Sequence, residues 1–169
     1  MKKIFTILCI AFAGMLVLFL LSGCPYSSTV PLASPSEPAD AILYGKWIYD
    51  SWDDNPQYYQ IEKVDGVSFI LDKYTWDSES ESYILDTKYT GWFTTMEDVR
   101  FLNIEDVDNL GIYYFYKLEM SSPDTFILHE VTDNIDEEFH TSQELYDFFD
   151  TYKNLSFFYN SEIETYNRE

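Results

Sequence analysis

The residue types that do chemistry are scattered along this chain rather than assembled. His129-Glu130-Val131-Thr132-Asp133 comes nearest to the metalloprotease pattern, in which two histidines one helical turn apart converge on zinc and a glutamate acts as base. Here Asp133 holds the second ligand position, and the segment reads as a strand, which sets residues 129 and 133 about 13 Å apart. No zinc site is expected. Asp106-Val107-Asp108-Asn109-Leu110-Gly111 offers oxygen ligands at the first and third positions of a calcium loop and glycine at the sixth. Leu110 at the fifth and Lys117 at the twelfth, where a bidentate glutamate is required, exclude an EF-hand. A looser calcium site here, or around Asp133, Asn134, Asp136, Glu137 and Glu138, stays open. Asp53-Asp54 has the carboxylates for acid–base work, but with 30 acidic residues such pairs arise by chance. There is no Gly-rich phosphate loop, no G-x-S-x-G and no Cys/His nucleophile pair. No catalytic and no metal-binding residue is assigned.

The elements that would position any such site are mostly strands. From Ala41 onward, alternation and β-branched or aromatic runs predict strands over 42–49, 57–64, 67–76, 83–93, 99–104, 112–120 and 125–131. Asp65-Gly66 is a hairpin signal. In 112–120, Ile112, Tyr114, Tyr116, Leu118 and Met120 share one face while Tyr113 and Phe115 start the other, so this strand is expected to be covered on both sides. Thr141-Ser142-Gln143-Glu144 has capping-box spacing, and Leu145, Phe148, Phe149 and Tyr152 form one apolar stripe, which predicts a helix near 142–153. Segments 156–159 and 163–166 are read as a last strand. Seven or so strands at hairpin spacing predict a mainly β fold, an antiparallel meander barrel or half-barrel with one C-terminal α-helix packed against it.

Composition narrows the class further. Residues 1–23 contain Lys2 and Lys3 but no acid, and the remainder holds eight basic and 30 acidic residues, a formal charge of −22. Phosphates repel such a surface, which excludes nucleic-acid binding. Aromatics make up 19% of the chain, so it can bury a core despite its charge. Trp47, Trp52, Trp76, Trp92 and Tyr113-Tyr114-Phe115-Tyr116 are candidates to line a cavity for a lipid or glycan, weighed against ordinary core packing.

The N-terminus has three parts. Lys2-Lys3 precede an apolar run from Ile4 to Leu21, which ends in Ser22-Gly23-Cys24. The run is 18 residues long, close to a membrane span, so a retained transmembrane anchor competes with cleavage. Leu21-Ser22-Gly23-Cys24 resembles the lipobox of bacterial lipoproteins. The resemblance implies cleavage before Cys24, a diacylglycerol thioether on that cysteine and usually an N-acyl chain. Cleavage leaves one cysteine and no intramolecular disulfide. Residues 25–40, rich in proline and serine, are read together with Cys24 as a flexible tether, and 41–169 as a single domain.

Two further resemblances follow. Gly45-Lys46-Trp47 looks like the G-x-W of lipocalin-like barrels, in which the tryptophan plugs the barrel base and a late arginine lies over it. By that analogy Gly45, Trp47 and Arg168 are structural. Phe101-Leu102-Asn103-Ile104, Gly111 to Tyr116, and Thr141 to Leu145 with Phe148 are similar to a group of uncharacterised bacterial envelope lipoproteins, which implies an address and no activity.

These readings converge on a lipid-anchored protein of the cell membrane or outer membrane, with its domain facing the periplasm or the exterior. It would act as a binding or interaction module for a small apolar ligand or an envelope protein. No cofactor is implied beyond the covalent lipid on Cys24. A hydrolase of the envelope, using carboxylates or calcium, is the alternative.

Overall fold

The computed structural model describes residues 25–50 and 56–169. The strands are β1 (Ser27–Ser28), β2 (Gly45–Tyr49), β3 (Gln57–Lys63), β4 (Ser68–Asp77), β5 (Ser82–Met96), β6 (Val99–Asp106), β7 (Tyr113–Ser122), β8 (Thr125–Val131) and β9 (Tyr159–Arg168). Helix α1 (Ser142–Tyr152) falls between β8 and β9. From β2 to β9 each strand pairs antiparallel with the next. β9 then returns to β2, with Trp47 opposite Arg168 and Tyr49 opposite Tyr166. The result is a closed eight-stranded meander barrel. Closure removes the sheet edges that an open meander would expose.

Local chemistry explains the turns. At the β3–β4 hairpin, Asp65 accepts hydrogen bonds from the amides of Val67 and Ser68 at 2.8 and 2.7 Å. Asp77 does the same work at the β4–β5 turn for Glu79 and Ser80. The inward face needs one residue without a side chain: a Cβ on Gly91 would lie 2.6 Å from both Leu71 and Phe69.

Two cores share the sheet. Inside the barrel lie Trp47, Ile61, Phe69, Phe93, Leu102 and Phe126 with their neighbours. Outside it, α1 lays Leu145 and Phe149 on Met96, Val99, Phe101, Phe115 and Val131. Phe149 meets Phe101 and Phe115 edge-on at 5.3 and 5.2 Å. The capping box sets the start of the helix: the Thr141 hydroxyl accepts from the Glu144 amide at 3.2 Å, and the Glu144 carboxylate accepts from the Thr141 amide at 3.0 Å. Thus β7 is covered on both faces, with Leu118 inward and Phe115 under the helix.

One expectation needs correction. Residues 25–40 are not a free tether. Tyr26 and Leu32 are buried in the outer core, Leu32 at 1% exposure. β1 extends the edge of β7 beyond the point where β8 leaves it, pairing Ser27 with Tyr114. Asn103, fully buried on the outer face, accepts from the Leu32 amide at 3.2 Å and donates to Thr94 Oγ1 at 3.0 Å. The Trp92 indole donates to Ala33 O at 2.7 Å, and Arg100 reaches Pro38 O and the Asp40 carboxylate. The prolines exclude helix and confine ladder pairing to the short β1, but two apolar anchors and a buried amide hold the rest of the extended chain against the barrel.

Candidate functional site

The barrel interior is built as a floor and a wall. The floor lies where β2 begins and β9 ends. A 3-10 turn over Ala41–Leu43 crosses this end and places the Leu43 carbonyl 2.7 Å from the Trp47 indole nitrogen, which donates to it. Trp47 has no exposed surface. The Arg168 guanidinium stacks 4.4 Å from the centre of the Trp47 ring, donates from Nη1 to Tyr44 O at 3.1 Å and from Nη2 to Ile42 O, and pairs with Asp124 at 3.3 Å. Gly45 sits between them at φ +129°, a backbone conformation that side chains resist, and a Cβ there would meet Arg168 Nη1 at 3.3 Å. The structure brings Gly45, Trp47 and Arg168 together, and the arginine seals the end.

Above the floor the lining changes from aromatic to polar. Phe126 packs on Trp47 at 4.7 Å and on Tyr166 at 5.0 Å, and Tyr166 touches Tyr59 at 5.1 Å. Next come carboxylates and hydroxyls. Tyr166 donates to Glu164 at 2.9 Å, Tyr116 donates to Glu130 at 3.2 Å, and Asn160 also donates to Glu130. Burial, reinforced by neighbouring tyrosines and by Glu164, pushes the Tyr59, Tyr116 and Tyr166 hydroxyls well above the ordinary range, so all three stay protonated. Burial also raises the Glu164 carboxyl, and the Glu130 charge adds to it, while the Tyr166 hydroxyl and Lys73 oppose the shift. Lys73, Tyr89, Tyr114, Tyr116, Glu130 and Glu164 are half-buried, in contrast to the sealed floor. Solvent reaches this wall from the end opposite Trp47. That end carries the β4–β5 turn, the β6–β7 loop and the start of β9.

The other chemical candidates do not converge. Alternation on β8 sends Glu130 inward and His129 outward, where it faces the Tyr159 ring at 6.0 Å and Glu119 Oε2 at 3.5 Å. His129 and Glu130 therefore lie on opposite faces of the sheet. Asp106 is spent on its own turn, accepting from the Asp108 amide at 2.9 Å, and Glu105 accepts from Gly111 at 2.8 Å. Among the described residues, no group of three or more His, Cys, Asp or Glu side chains is placed to hold a metal ion. Cys24, Trp52 and Asp53-Asp54 lie outside the described residues, as does the apolar run. No described helix is long and apolar enough to cross a membrane.

The proposed aromatic lining divides. Trp47 is the floor, and Tyr114 and Tyr116 face inward. Trp92, Tyr113 and Phe115 lie on the outer face, where Trp92 meets Tyr113 at 5.9 Å. Trp76 is on an outer aromatic strip, 5.2 Å from Tyr83, and Tyr58 stacks on Tyr74 at 4.7 Å. The inward polar wall was missed because Tyr59, Glu130, Glu164 and Tyr166 come from three strands far apart in sequence. The signal available was alternation along β9, which places Glu164, Tyr166 and Arg168 on one face.

No protein-family model matches the chain, and no curated protein matches it. Among solved structures, a de novo designed fluorescence-activating β barrel is similar, with a TM-score of 0.40 and 10% sequence identity, over 79% of this chain and all of that one.

Proposed function

We propose that this chain is a membrane-anchored extracytoplasmic lipoprotein, acylated on Cys24, whose barrel binds a small, largely apolar ligand carrying one polar group. The anchor rests on the lipobox-like Leu21-Ser22-Gly23-Cys24. The binding role is carried by one observation: the lumen is sealed by an aromatic floor at Trp47, and its other half presents tyrosine hydroxyls with Glu130 and Glu164. Such a gradient takes an apolar body downward and leaves a donor group at the polar layer. The acidic wall disfavours an anionic head and suits a neutral or cationic one. A hydrolase using carboxylates or calcium finds less support, because Glu130 and Glu164 are held by tyrosines and Asp65, Asp77 and Asp106 serve turns.

Native mass spectrometry of the mature protein from its source membrane tests both parts. The expected spectrum shows an acylated N-terminal cysteine and an additional bound mass. Tyr116→Trp, which crowds the wall, should lose that mass while keeping the acyl chains. A wild-type protein without bound mass that also fails to bind N-phenyl-1-naphthylamine would sink the ligand-binding reading.

A further inference from the structure

We infer that the barrel sits directly on the lipid surface with its open end against the bilayer, so that the lumen opens toward the membrane and away from solvent. The inference rests on the anchor proposed at Cys24, but its content comes from the packing of the next residues. Pro25 bridges to Thr132, the Tyr26 amide donates to Val131 O at 2.9 Å, and the Tyr26 ring is buried 6.0 Å from Phe115. Consecutive Cα atoms are about 3.8 Å apart, so whatever holds residue 24 holds the barrel wall within one peptide unit. A sixteen-residue tether would have left the domain free to point anywhere. This attachment fixes one end.

The attached end is the one opposite the Trp47–Arg168 seal. Thr132 follows β8 where it runs past the half-buried wall, and the Thr132 amide donates to Phe158 O at 3.2 Å, just before β9 begins. The same end carries the β4–β5 hairpin tip and the β6–β7 loop. The two most exposed large apolar side chains lie there, Leu110 on the loop at 74% and Phe157 beside Thr132 at 65%, with Trp76, Tyr83 and Leu85 on the hairpin, whereas the sealed end exposes Ile42, Val64 and Met120. An apolar rim around an opening, on the side where the chain is anchored, matches the interfacial layer of a bilayer. The acids at this end, Asp77, Glu79 and Asp108 on the turns and Asp133, Asp136, Glu137 and Glu138 beside Pro25, select among lipids. They tolerate zwitterionic headgroups and are repelled by anionic ones.

With Cys9 removed and Cys24 acylated, the mature chain has no free thiol, so single cysteines report position. Phe157→Cys, Leu110→Cys and, at the sealed end, Val64→Cys are each exposed and can be labelled with bimane in the full lipidated protein on phosphatidylcholine vesicles carrying nitroxide-labelled lipid. The expected result is quenching at positions 157 and 110 several-fold stronger than at 64, falling when phosphatidylglycerol is mixed in and recovering with salt. Equal quenching at all three sites, or none at 157 and 110 while the protein floats with the vesicles, overturns the orientation and leaves the anchor standing. Failure to float overturns the anchor and the orientation with it.

Discussion

At the scale of single residues, the barrel places a few side chains where no other type would serve. Arg168 covers Trp47, satisfies two carbonyls of the segment that crosses the floor and pairs with Asp124, so it closes the lumen through three different kinds of contact. A lysine would keep the charge but lose the planar fork. Glu164 is the opposite case, a carboxyl held where ionisation is unfavourable. Its raised value means the native state keeps the proton longer than the unfolded chain does. Stability is therefore lost as pH climbs from the ordinary carboxylate range through the raised folded value, and is constant above it. Glu164→Gln keeps an acceptor for Tyr166 and removes the ionisation. Thermal melts should show the variant more stable than wild type at neutral pH and equal to it in acid. A variant less stable at neutral pH would show that the charge is compensated in the folded barrel.

Elements were legible where their signals are local. Asp65-Gly66 marks its hairpin, the capping box starts α1 at the predicted turn, and the two-faced pattern of β7 matches a strand with lumen on one side and helix on the other. Register with distant strands was not legible, because no local rule tells β9 to return to β2 across α1. The N-terminal segment failed for another reason. Proline and serine content describes what a stretch cannot form by itself, whereas Tyr26 and Leu32 bury against a surface that exists only once the barrel is built. Asn103 supplies the specific contact. Asn103→Ala removes the acceptor of the Leu32 amide and leaves Thr94 Oγ1 without its donor. The expected loss is about 1–3 kcal/mol. Hydrogen exchange should accelerate across residues 30–33 and change little in β3 and β4. Uniform acceleration would show instead that Asn103 stabilises the barrel as a whole.

At the scale of the whole molecule, charge and fold work against each other. A formal charge of −22 after residue 23 places many acids on a small barrel, and among the described residues ion pairs engage a minority of them, including Glu169, Asp72 and Glu119. Self-repulsion should make the native state more stable as salt screens it, over the range where the Debye length falls from about 30 Å at 0.01 M to about 8 Å at 0.15 M. Urea midpoints measured across that range should rise with sodium chloride. A midpoint that falls would indicate that the ion pairs outweigh the repulsion.

Closure by β9 has a kinetic meaning as well. Trp47 meets Arg168 across 121 positions of chain, and the same strand also pairs with β8. Every other ladder of the barrel joins neighbours in sequence and can form as the chain lengthens. The final ladder must wait for the whole meander and the helix before it. Until it docks, β2 and β8 both present bare edges, the kind of surface on which chains associate. Folding speed and resistance to aggregation therefore depend most on one strand, the one that also carries Glu164, Tyr166 and Arg168.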